Sequence, residues 1–390
     1  MKKALVLLAI GTLVLGACQK EPQKDTPSKD SELTGEKVDV SGISKDVKKV
    51  FVLSEGSMGS NNATLDFLRI SDGNYITGAF KKMNPDAAAG LGDVGNDIVI
   101  IGDEAWIVVN NSGIVEVISA KDETEIAAIQ VPTPRRIAFD DQYAYVTSWA
   151  GAYTIYTSDP KTNTSSITDY SNPKGQVYRI NLKTKKVEGI VQVGYQPEGI
   201  AYYDGKLYVA NSGGISSQLP PNYAYDNTIS MIETDKFTTV KLYIEVKVNL
   251  KDVYSDGKGN IYVTTLGDYW STHSGLYMLN SNLSVKAVTD YVSTSAILGD
   301  TVYVIGTDTE WDWNSSSHVY KAYSVKNGTK TEITLPVSGT PYGLAAIDSS
   351  TFLVADAGDY FNPGTVSCIS NGAKAWTVTT GVCPGHFAIY

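Results

Sequence analysis

One strand–turn–strand unit recurs along this chain and limits the folds that it can form. Its clearest copy runs from Pro197 to Gly213, where two short apolar strands flank the dipeptide Asp204-Gly205. Asp-Gly between apolar runs is among the strongest hairpin signals, because a type I′ turn needs positive φ at both central residues. Pro197 precedes the first strand, where its missing N–H removes no hydrogen bond from the ladder. The unit therefore predicts an antiparallel pair of strands.

The first strand of this unit begins at seven places, near residues 96, 135, 198, 251, 295, 342 and 385. The mean spacing is about 48 residues, close to the period of about 40–50 residues for four-stranded propeller blades. The last copy ends at Tyr390, and its missing partner strand stands near the other end of the chain, at residues 49–56. The pattern predicts an all-β, seven-bladed β-propeller closed by N- and C-terminal strands that share one blade. Such a ring leaves no long open sheet edge.

The first residues carry the marks of a targeting segment. Lys2 and Lys3 precede an apolar run over residues 4–15, which is shorter than the roughly 20 residues that span a bilayer. The run ends in Leu-Gly-Ala before Cys18 and resembles a bacterial lipoprotein signal, which implies cleavage after residue 17 and lipidation of Cys18. An ordinary secretion signal is the alternative. Residues 18–46 are polar and lack apolar periodicity, so we expect a disordered tether followed by a propeller over residues 47–390.

Net charge and cysteine content restrict the partners and the covalent links. The chain carries a formal charge of −10, which argues against nucleic acid, because phosphate binding needs clustered Lys and Arg. Apart from Cys18, the cysteines are Cys368 and Cys383. In an exported, oxidising setting they either form a disulfide that braces the closing blade or remain two buried thiols.

The loops of an antiparallel blade alternate between two faces of the ring. The turn face carries the tight first-to-second strand turns, such as Asp140-Asp141-Gln142 and Asp204-Gly205. The irregular face carries the opening residues of the first strands and the longer second-to-third strand loops, at residues 54–64, 110–113, 149–173, 211–227, 267–275, 307–318 and 357–364.

Aromatic side chains are concentrated in the loops of the irregular face. A single aromatic residue there is most simply explained by packing between loops, but the group resembles a binding surface of rigid apolar area beside adaptable polar groups. The aromatic candidates are Trp149, Tyr153, Tyr223, Tyr225, Tyr269, Trp270, Trp311, Trp313, Tyr360 and Phe361. The opening residues expected to ring the channel on this face are Asn96, Arg135, Glu198, Lys251 and Tyr342; they bind ligand or form solvated ion pairs.

Signals for catalysis are weak. His273, His318 and His386 come from separate blades without metal-ligand spacing, and neither a Gly-x-Ser-x-Gly elbow nor a phosphate loop occurs. Some propeller hydrolases hold calcium in the channel, and the carboxylates and amides near the openings could imitate such a site. Arg135, Arg136 and Lys251 at equivalent positions would repel the cation, so we expect a protein without enzymatic activity and without a cofactor.

Several segments together resemble a known family. They are Ser54-Glu55-Gly56, residues 59–62, residues 92–98, Val108-Val109-Asn110-Asn111-Ser112, residues 134–138, residues 197–201, residues 208–213 and residues 266–269. These segments cover the folded region and are similar to the surface propeller lipoproteins of Bacteroidota, including their BtuG-like branch. Their repeated parts are shared with YncE-like propellers, so they specify the fold more than the ligand, whereas the Ser-Glu-Gly and Asn-Asn-Ser pieces are more specific.

The resemblance implies a function and a location. A BtuG-like protein is anchored in the outer membrane, faces the medium, binds cobalamin and delivers it to a TonB-dependent outer-membrane transporter. The alternatives are a glycan- or protein-binding surface propeller and a calcium-dependent propeller hydrolase. The resulting ligand-binding candidates are Asn110, Asn111, Arg135, Trp149, Glu198, Asn211, Tyr223, Tyr225, Tyr269, Trp270, Trp311, Trp313, Tyr342, Tyr360, Phe361 and His386.

Overall fold

A computed structural model of the chain describes residues 29–87, 90–151, 153–159, 164–171, 174–213, 225–268, 271–307 and 319–390. These residues form seven antiparallel blades arranged in a ring, which confirms the predicted seven-bladed β-propeller. Cys18 lies outside the described residues. In the described part of the chain, the helices are too short and too polar to cross a bilayer.

The strands follow one another blade by blade. Blade 1 contains β1 (Glu36–Lys37), β2 (Lys49–Ser54), β3 (Thr64–Arg69) and β4 (Asn74–Ile76), followed by the short helix α1 (Ala79–Met83). Blade 2 contains β5 (Gly95–Ile101), β6 (Glu104–Val109), β7 (Ile114–Ser119) and β8 (Glu125–Gln130). Blade 3 contains β9 (Pro134–Phe139) and β10 (Tyr143–Ser148), the inserted hairpin β11 (Tyr153–Asp159) and β12 (Thr164–Ser171), then β13 (Lys174–Asn181) and β14 (Val187–Tyr195).

The remaining blades are regular. Blade 4 contains β15 (Pro197–Tyr203), β16 (Lys206–Asn211), β17 (Thr228–Glu233) and β18 (Leu242–Glu245). Blade 5 contains β19 (Leu250–Ser255), β20 (Ile261–Thr265), β21 (Gly275–Leu279) and β22 (Val285–Asp290). Blade 6 contains β23 (Val292–Leu298), β24 (Thr301–Thr307), β25 (Tyr320–Lys326) and β26 (Thr329–Ile333). Blade 7 contains β27 (Pro341–Ala346), β28 (Thr351–Asp356), β29 (Pro363–Ser370) and β30 (Ala373–Val382), and β31 (Pro384–Ile389) returns to blade 1.

The closing blade joins the two ends of the folded region. β31 pairs with β2 in antiparallel register, with Val50 opposite Ile389 and Val52 opposite Phe387. The ladder continues to the last residue, because the backbone N–H of Tyr390 donates to Lys49 O at 2.9 Å. The C-terminal strand is therefore the innermost strand of a blade whose other strands come from the N-terminal side, as predicted.

The hairpin that dominates the sequence pattern has the predicted geometry. Asp204 and Gly205 have φ values of 46° and 70°, and Tyr203 pairs with Lys206 across the turn. Positive φ at both central residues matches the right-handed twist of the two strands. The turn places β15 next to the channel and β16 behind it.

The core lies between the blades and consists of seven buried apolar clusters. Each cluster is built mainly from the facing sides of two neighbouring sheets. Between blades 2 and 3, for example, Trp106 is fully buried and packs with Val108, Ile137 and Val146. Alternate residues of each strand point into opposite clusters, so every blade is held on both sides.

The predicted boundary of the disordered tether at residue 46 is wrong. Residues 29–46 include a 3-10 turn at Lys29–Glu32 and β1, which pairs with β4 at the outer edge of blade 1. Ile43 is buried in the cluster between blades 7 and 1, where Val38 and Val40 also pack. The carboxylate of Asp30 is buried against Lys49, with an Oδ2–Nζ distance of 2.8 Å. A few anchoring side chains hold this polar segment without any apolar periodicity.

Of the two alternatives for Cys368 and Cys383, a disulfide or two buried thiols, the structure has the buried free thiols. Cys383 follows Val382, which pairs with Pro363 at the start of β29. Cys368 lies five residues further along β29, about 17 Å away at roughly 3.4 Å per residue. Disulfide-bonded Cα atoms lie within about 7 Å of each other.

Candidate functional site

A central channel of about 1170 Å³ runs through the ring. Its lining comes from the innermost strands of all seven blades and includes the opening residues Asn96, Arg135, Glu198, Lys251 and Tyr342. These residues therefore meet around one mouth, as the repeat predicted. The other end of the channel, toward the turn face, is lined by later residues of the same strands.

A β-bulge at the start of each innermost strand explains how these residues reach the channel. In blade 3, Ile137 pairs with Val146 and Pro134 pairs with Ser148, so that Arg135 and Arg136 together oppose Thr147. The same register shift occurs where the innermost strand opens in the other six blades. A bulge bends the strand and redirects the extra side chain. The fold thus presents a bulged segment at the mouth seven times.

Arg135 is the centre of a network that joins three neighbouring blades. Its Nε donates to Glu198 Oε2 and its Nη1 donates to Asn96 Oδ1, both at 2.9 Å. The amide of Asn96 returns a 2.7 Å hydrogen bond to the carbonyl of Arg135. The guanidinium also lies over the ring of Trp149, 4.4 Å from its centroid. Trp149, Arg135 and Glu198 are therefore brought together as one side of the mouth.

Arg136 crosses the channel below this network. Its Nη1 lies 3.4 Å from both ring nitrogens of His386 in blade 1, and its Nη2 lies 3.6 Å from Asp252 Oδ1 in blade 5. Blades 1 and 5 are each two positions away from blade 3 in the ring, so the side chain spans the bore. Burial disfavours the guanidinium charge, but Asp252, Asp97, Glu198 and Glu55 together raise the pKa of Arg136 above its ordinary value. The guanidinium group of Arg136 therefore closes the mouth on the channel side, and we call it the Arg136 floor.

Glu55 and Tyr342 form the side of the mouth opposite Arg135. Tyr342 donates a 2.8 Å hydrogen bond from its hydroxyl to Glu55 Oε2, and His386 Nε2 lies 3.1 Å from Glu55 Oε1. Burial opposes ionisation of Glu55, but its hydrogen bonds to His386 and Tyr342 keep its pKa below the ordinary value. Burial also opposes ionisation of Asp252, but the charges of Lys251 and Arg136 keep the pKa of Asp252 below its ordinary value.

The rim of the irregular face displays apolar side chains at the junction of blades 7 and 1. Phe361 is 81% exposed and Met58 is 74% exposed. Asp359 accepts hydrogen bonds from the backbone N–H groups of Phe361 and Asn362, both at 2.9 Å, which fixes the loop that carries Phe361. Tyr360, with φ of 67°, packs edge-on against Tyr342 at 5.8 Å between ring centroids. These contacts hold an apolar surface in place at the rim.

The predicted asparagines have different surroundings from those expected. Asn211 is fully buried; its Nδ2 donates to Thr228 and Ser230, and its Oδ1 accepts from the Gly194 N–H. Asn110 is buried as well and donates to the carbonyl of Pro134. Their amides serve hydrogen bonds within and between blades, so we remove both from the candidate ligand contacts.

Asn111 and Tyr225 lie where ligand can reach. Asn111 is exposed and donates from Nδ2 to Asp93 Oδ2 at 2.6 Å. Tyr225 lines the channel mouth. The other aromatic candidates Tyr223, Tyr269, Trp270, Trp311 and Trp313 lie outside the described residues, as does the side chain of Tyr153.

Sequence reasoning missed Glu55 and Met58 and did not place Arg136 among the ligand contacts. Glu55 directly follows β2, the position at which the second strand of a blade returns to the mouth. Its position directly after the second strand of the closing blade could have identified Glu55 as a residue of the mouth. Within the described residues, His, Cys, Asp and Glu side chains form no group of three or more suited to a metal ion.

Comparisons with known proteins bear on the fold. No protein-family model matches the chain, and no curated protein sequence matches it. The chain is similar in structure to Kuenenia stuttgartiensis hydrazine synthase, with a TM-score of 0.54 and 13% identity over 75% of this chain and 88% of that one. It is also similar to Pyrococcus horikoshii acylaminoacyl peptidase, with a TM-score of 0.52 and 13% identity over 84% of this chain and 50% of that one. At this level of identity the likeness establishes a shared propeller fold.

Proposed function

We propose that this chain is a cell-surface binding protein that captures a corrinoid of the vitamin B12 type on its irregular face. The composition of the channel mouth carries the proposal. The ring of Trp149 stands beside the Arg135–Glu198 ion pair on one side of the mouth, and the rings of Tyr342 and Tyr360 stand on the opposite side. A corrinoid offers a flat apolar ring system with a rim of amides. Aromatic surfaces and fixed polar groups are the two features that such a ligand needs.

The shape of the channel supports binding over the mouth rather than inside the bore. Arg136 spans the channel between His386 and Asp252. A large ligand must therefore rest on the rim, where Tyr360 and Phe361 are 48% and 81% exposed. Only its peripheral groups would enter the mouth as far as the Arg136 floor.

Arg136 also argues against the calcium-dependent hydrolase. The oxygen donors that could imitate a calcium site are Asn96, Asp97, Glu198 and Asp252. Arg136 donates to the backbone carbonyl of Asn96 and lies 3.6 Å from Asp252, and Arg135 holds Glu198. A divalent cation at this place would meet two guanidinium groups at short range. Binding without chemistry is the function that these contacts favour.

The cellular role is part of the proposal and rests on the sequence alone. Cys18 carries the lipid anchor in the outer membrane, the irregular face points to the medium, and a TonB-dependent outer-membrane transporter receives the corrinoid. The exposed Phe361 and Met58 also suit a macromolecular ligand. For that reason a glycan- or protein-binding propeller is the second candidate.

Isothermal titration calorimetry on residues 19–390 separates these functions. The protein is titrated with cyanocobalamin, with a glycan panel and with calcium chloride under identical conditions. One-to-one binding of cyanocobalamin with a submicromolar Kd is the expected result. Heat from a glycan without any from cyanocobalamin would support the second candidate, and stoichiometric calcium binding would support the hydrolase; either result overturns the corrinoid proposal.

A further inference from the structure

The mouth carries a set of fixed charges of both signs. The charged side chains that line it are four carboxylates and three cations: Glu55, Asp97, Glu198, Asp252, Arg135, Arg136 and Lys251. The carboxylates thus outnumber the Arg and Lys cations by one, in a chain that is itself acidic, at −10. The electrostatic environment that a ligand meets here is balanced to slightly negative.

The cations are held by groups of the protein itself. Arg135 donates to Glu198 and Asn96, and Trp149 covers its face. Arg136 donates to the carbonyl of Asn96 and faces Asp252. The ammonium of Lys251 lies 3.8 Å from Asp252 and its side chain is 31% exposed. An added anion would have to compete with these carboxylates for every one of the three cations.

A neutral polar group fits the same surroundings without that competition. A primary carboxamide donates two hydrogen bonds and accepts two. Its NH₂ can donate to the remaining lone pairs of the Glu55 and Glu198 carboxylates, and its oxygen can accept from the partly exposed ammonium of Lys251. A carboxylate of the same shape loses both donors and brings a negative charge near four others. Like charges that meet across an interface weaken binding by well over about tenfold.

We propose that the mouth recognises a primary carboxamide and discriminates against the corresponding carboxylate. The inference rests on the proposed function and deepens it, because it names the part of the corrinoid that enters the channel. The discrimination arises from the excess of carboxylates and from the prior pairing of Arg135 and Arg136. One peripheral amide of the ligand is inserted toward Arg136, while the ring system stays on the rim.

The test compares cyanocobalamin with its monocarboxylic acids, in which a single peripheral propionamide has been hydrolysed. Each compound is titrated into residues 19–390 by calorimetry at pH 7.5. At least one isomer is expected to bind at least about tenfold more weakly than the amide, since a tenfold change is a modest share of the cost of a like-charge contact. Equal affinities for all isomers would overturn the inference while leaving the corrinoid proposal intact. Absence of binding by every compound would overturn the corrinoid proposal, and the inference with it.

Two variants with opposite charge changes locate the discrimination at the mouth. Glu198→Gln removes one carboxylate and keeps an oxygen for Arg135, so the preference for amide over acid should fall several-fold. Lys251→Met removes a partly exposed cation, so the preference should rise. Asp204→Asn is the matched control, because it makes the same charge change as Glu198→Gln in an exposed turn of the opposite face, with 77% of the side chain exposed. A shift in Asp204→Asn equal to that in Glu198→Gln would overturn the inference, because it would show an effect of overall charge.

Discussion

Replacing Lys49 by methionine should destabilise the propeller far more than replacing a charged residue on its surface. The ammonium of Lys49 lies 2.6 Å from Lys121 O, 2.6 Å from Glu123 Oε1 and 2.8 Å from Asp30 Oδ2. Both carboxylate side chains are fully buried. Lys49 thus joins the N-terminal segment to blades 1 and 2, and its loss leaves two buried carboxylates without their nearest cation.

The magnitude follows from the burial of this ion cluster. Breaking a buried ion pair by removing one partner costs about 3–5 kcal/mol. Unfolding entropy near 2.1 cal/mol/K per residue gives roughly 0.75 kcal/mol/K for a folded region of about 360 residues. The melting temperature of Lys49→Met should therefore fall by about 4–7 °C.

The pH dependence provides a second readout of the same cluster. Burial raises the pKa of Glu123 to about 7, while the charge of Lys49 opposes that rise. Without Lys49, Glu123 takes up a proton more readily in the folded state, so the cost should be smaller at pH 6 than at pH 8. A raised carboxyl pKa means that stability falls as pH rises through the interval between the unfolded and folded values.

Differential scanning calorimetry on the wild type and three variants tests this reasoning. Lys121→Met is the surface control, because Lys121 pairs with Asp103 where both side chains are 58% exposed. Such a pair contributes about 0–1 kcal/mol. The triple change Lys49→Met, Asp30→Asn and Glu123→Gln should recover most of the loss, since it removes the uncompensated charges. A Lys49→Met protein that melts within about 1 °C of the wild type, well below the shift expected from the unfolding entropy, would refute the argument.

Four further predictions address the fold, the anchor and the mouth. Deletion of residues 384–390 removes β31 and exposes the inner edge of β2, so circular dichroism should show an unfolded or aggregating protein; unchanged melting would contradict the closure. Trp149→Ala and Tyr360→Ala should each weaken cyanocobalamin binding in calorimetry by about 2 kcal/mol. Lys206→Ala on the turn face is the control. Loss of binding in Lys206→Ala alone would show that the site lies on the turn face and not on the irregular face. Burial and the charge of Glu125 raise the pKa of Glu116 to about 8, so its ionisation costs stability as pH rises from about 4.5 to 8. The Glu116→Gln variant should therefore have a higher melting temperature than the wild type at pH 8.5 but not at pH 5. Equal melting temperatures of the two proteins at both pH values would contradict this. Cys18→Ala should release the protein from the membrane fraction of cells, and an unchanged membrane-bound pool on immunoblotting would exclude the lipid anchor.

Of the turn-face residues Asp140 and Lys206, only one is suited as a control for the binding measurements. Sequence alone offers Asp140 and Lys206 as equivalent turn residues. The Asp140 carboxylate, however, accepts hydrogen bonds from the backbone of Gln142 and Tyr143 and from the Tyr145 hydroxyl. Its removal would disturb the turn, and only Lys206 is a clean control.

The architecture was predictable because it repeats. Local signals, such as proline before the first strand and Asp204-Gly205 between two strands, fix the turn and the alternation of each blade. Seven copies of a weak signal give a strong one, and the unpaired strand at each end predicts how the ring closes. The N-terminal segment gave no such signal, because Asp30 and Ile43 are single anchors that act through partners distant in sequence.

The site was predictable only in outline. The repeat alone predicts that Arg135, Glu198 and Tyr342 meet at one mouth, even when the register of the strands is unknown. Other contacts across the mouth join residues that are 250–331 positions apart in the chain, such as Arg136 with His386 and Glu55 with His386. Asn211 uses its amide for hydrogen bonds within the fold, and whether an asparagine does so depends on how the strands around it pair. These contacts follow from ring closure and bulge geometry, which leave no local mark on the sequence.

A crystal structure of the protein grown with cyanocobalamin, with diffraction recorded at the cobalt absorption edge, would show whether a corrinoid binds over the channel mouth. Cobalt gives an anomalous signal that locates the centre of the corrin ring without reference to the surrounding density. We expect one cobalt peak per chain, above the channel mouth between Trp149 and Tyr360 on the irregular face. A peak at the turn face, or crystals without a cobalt peak at saturating ligand, would contradict it.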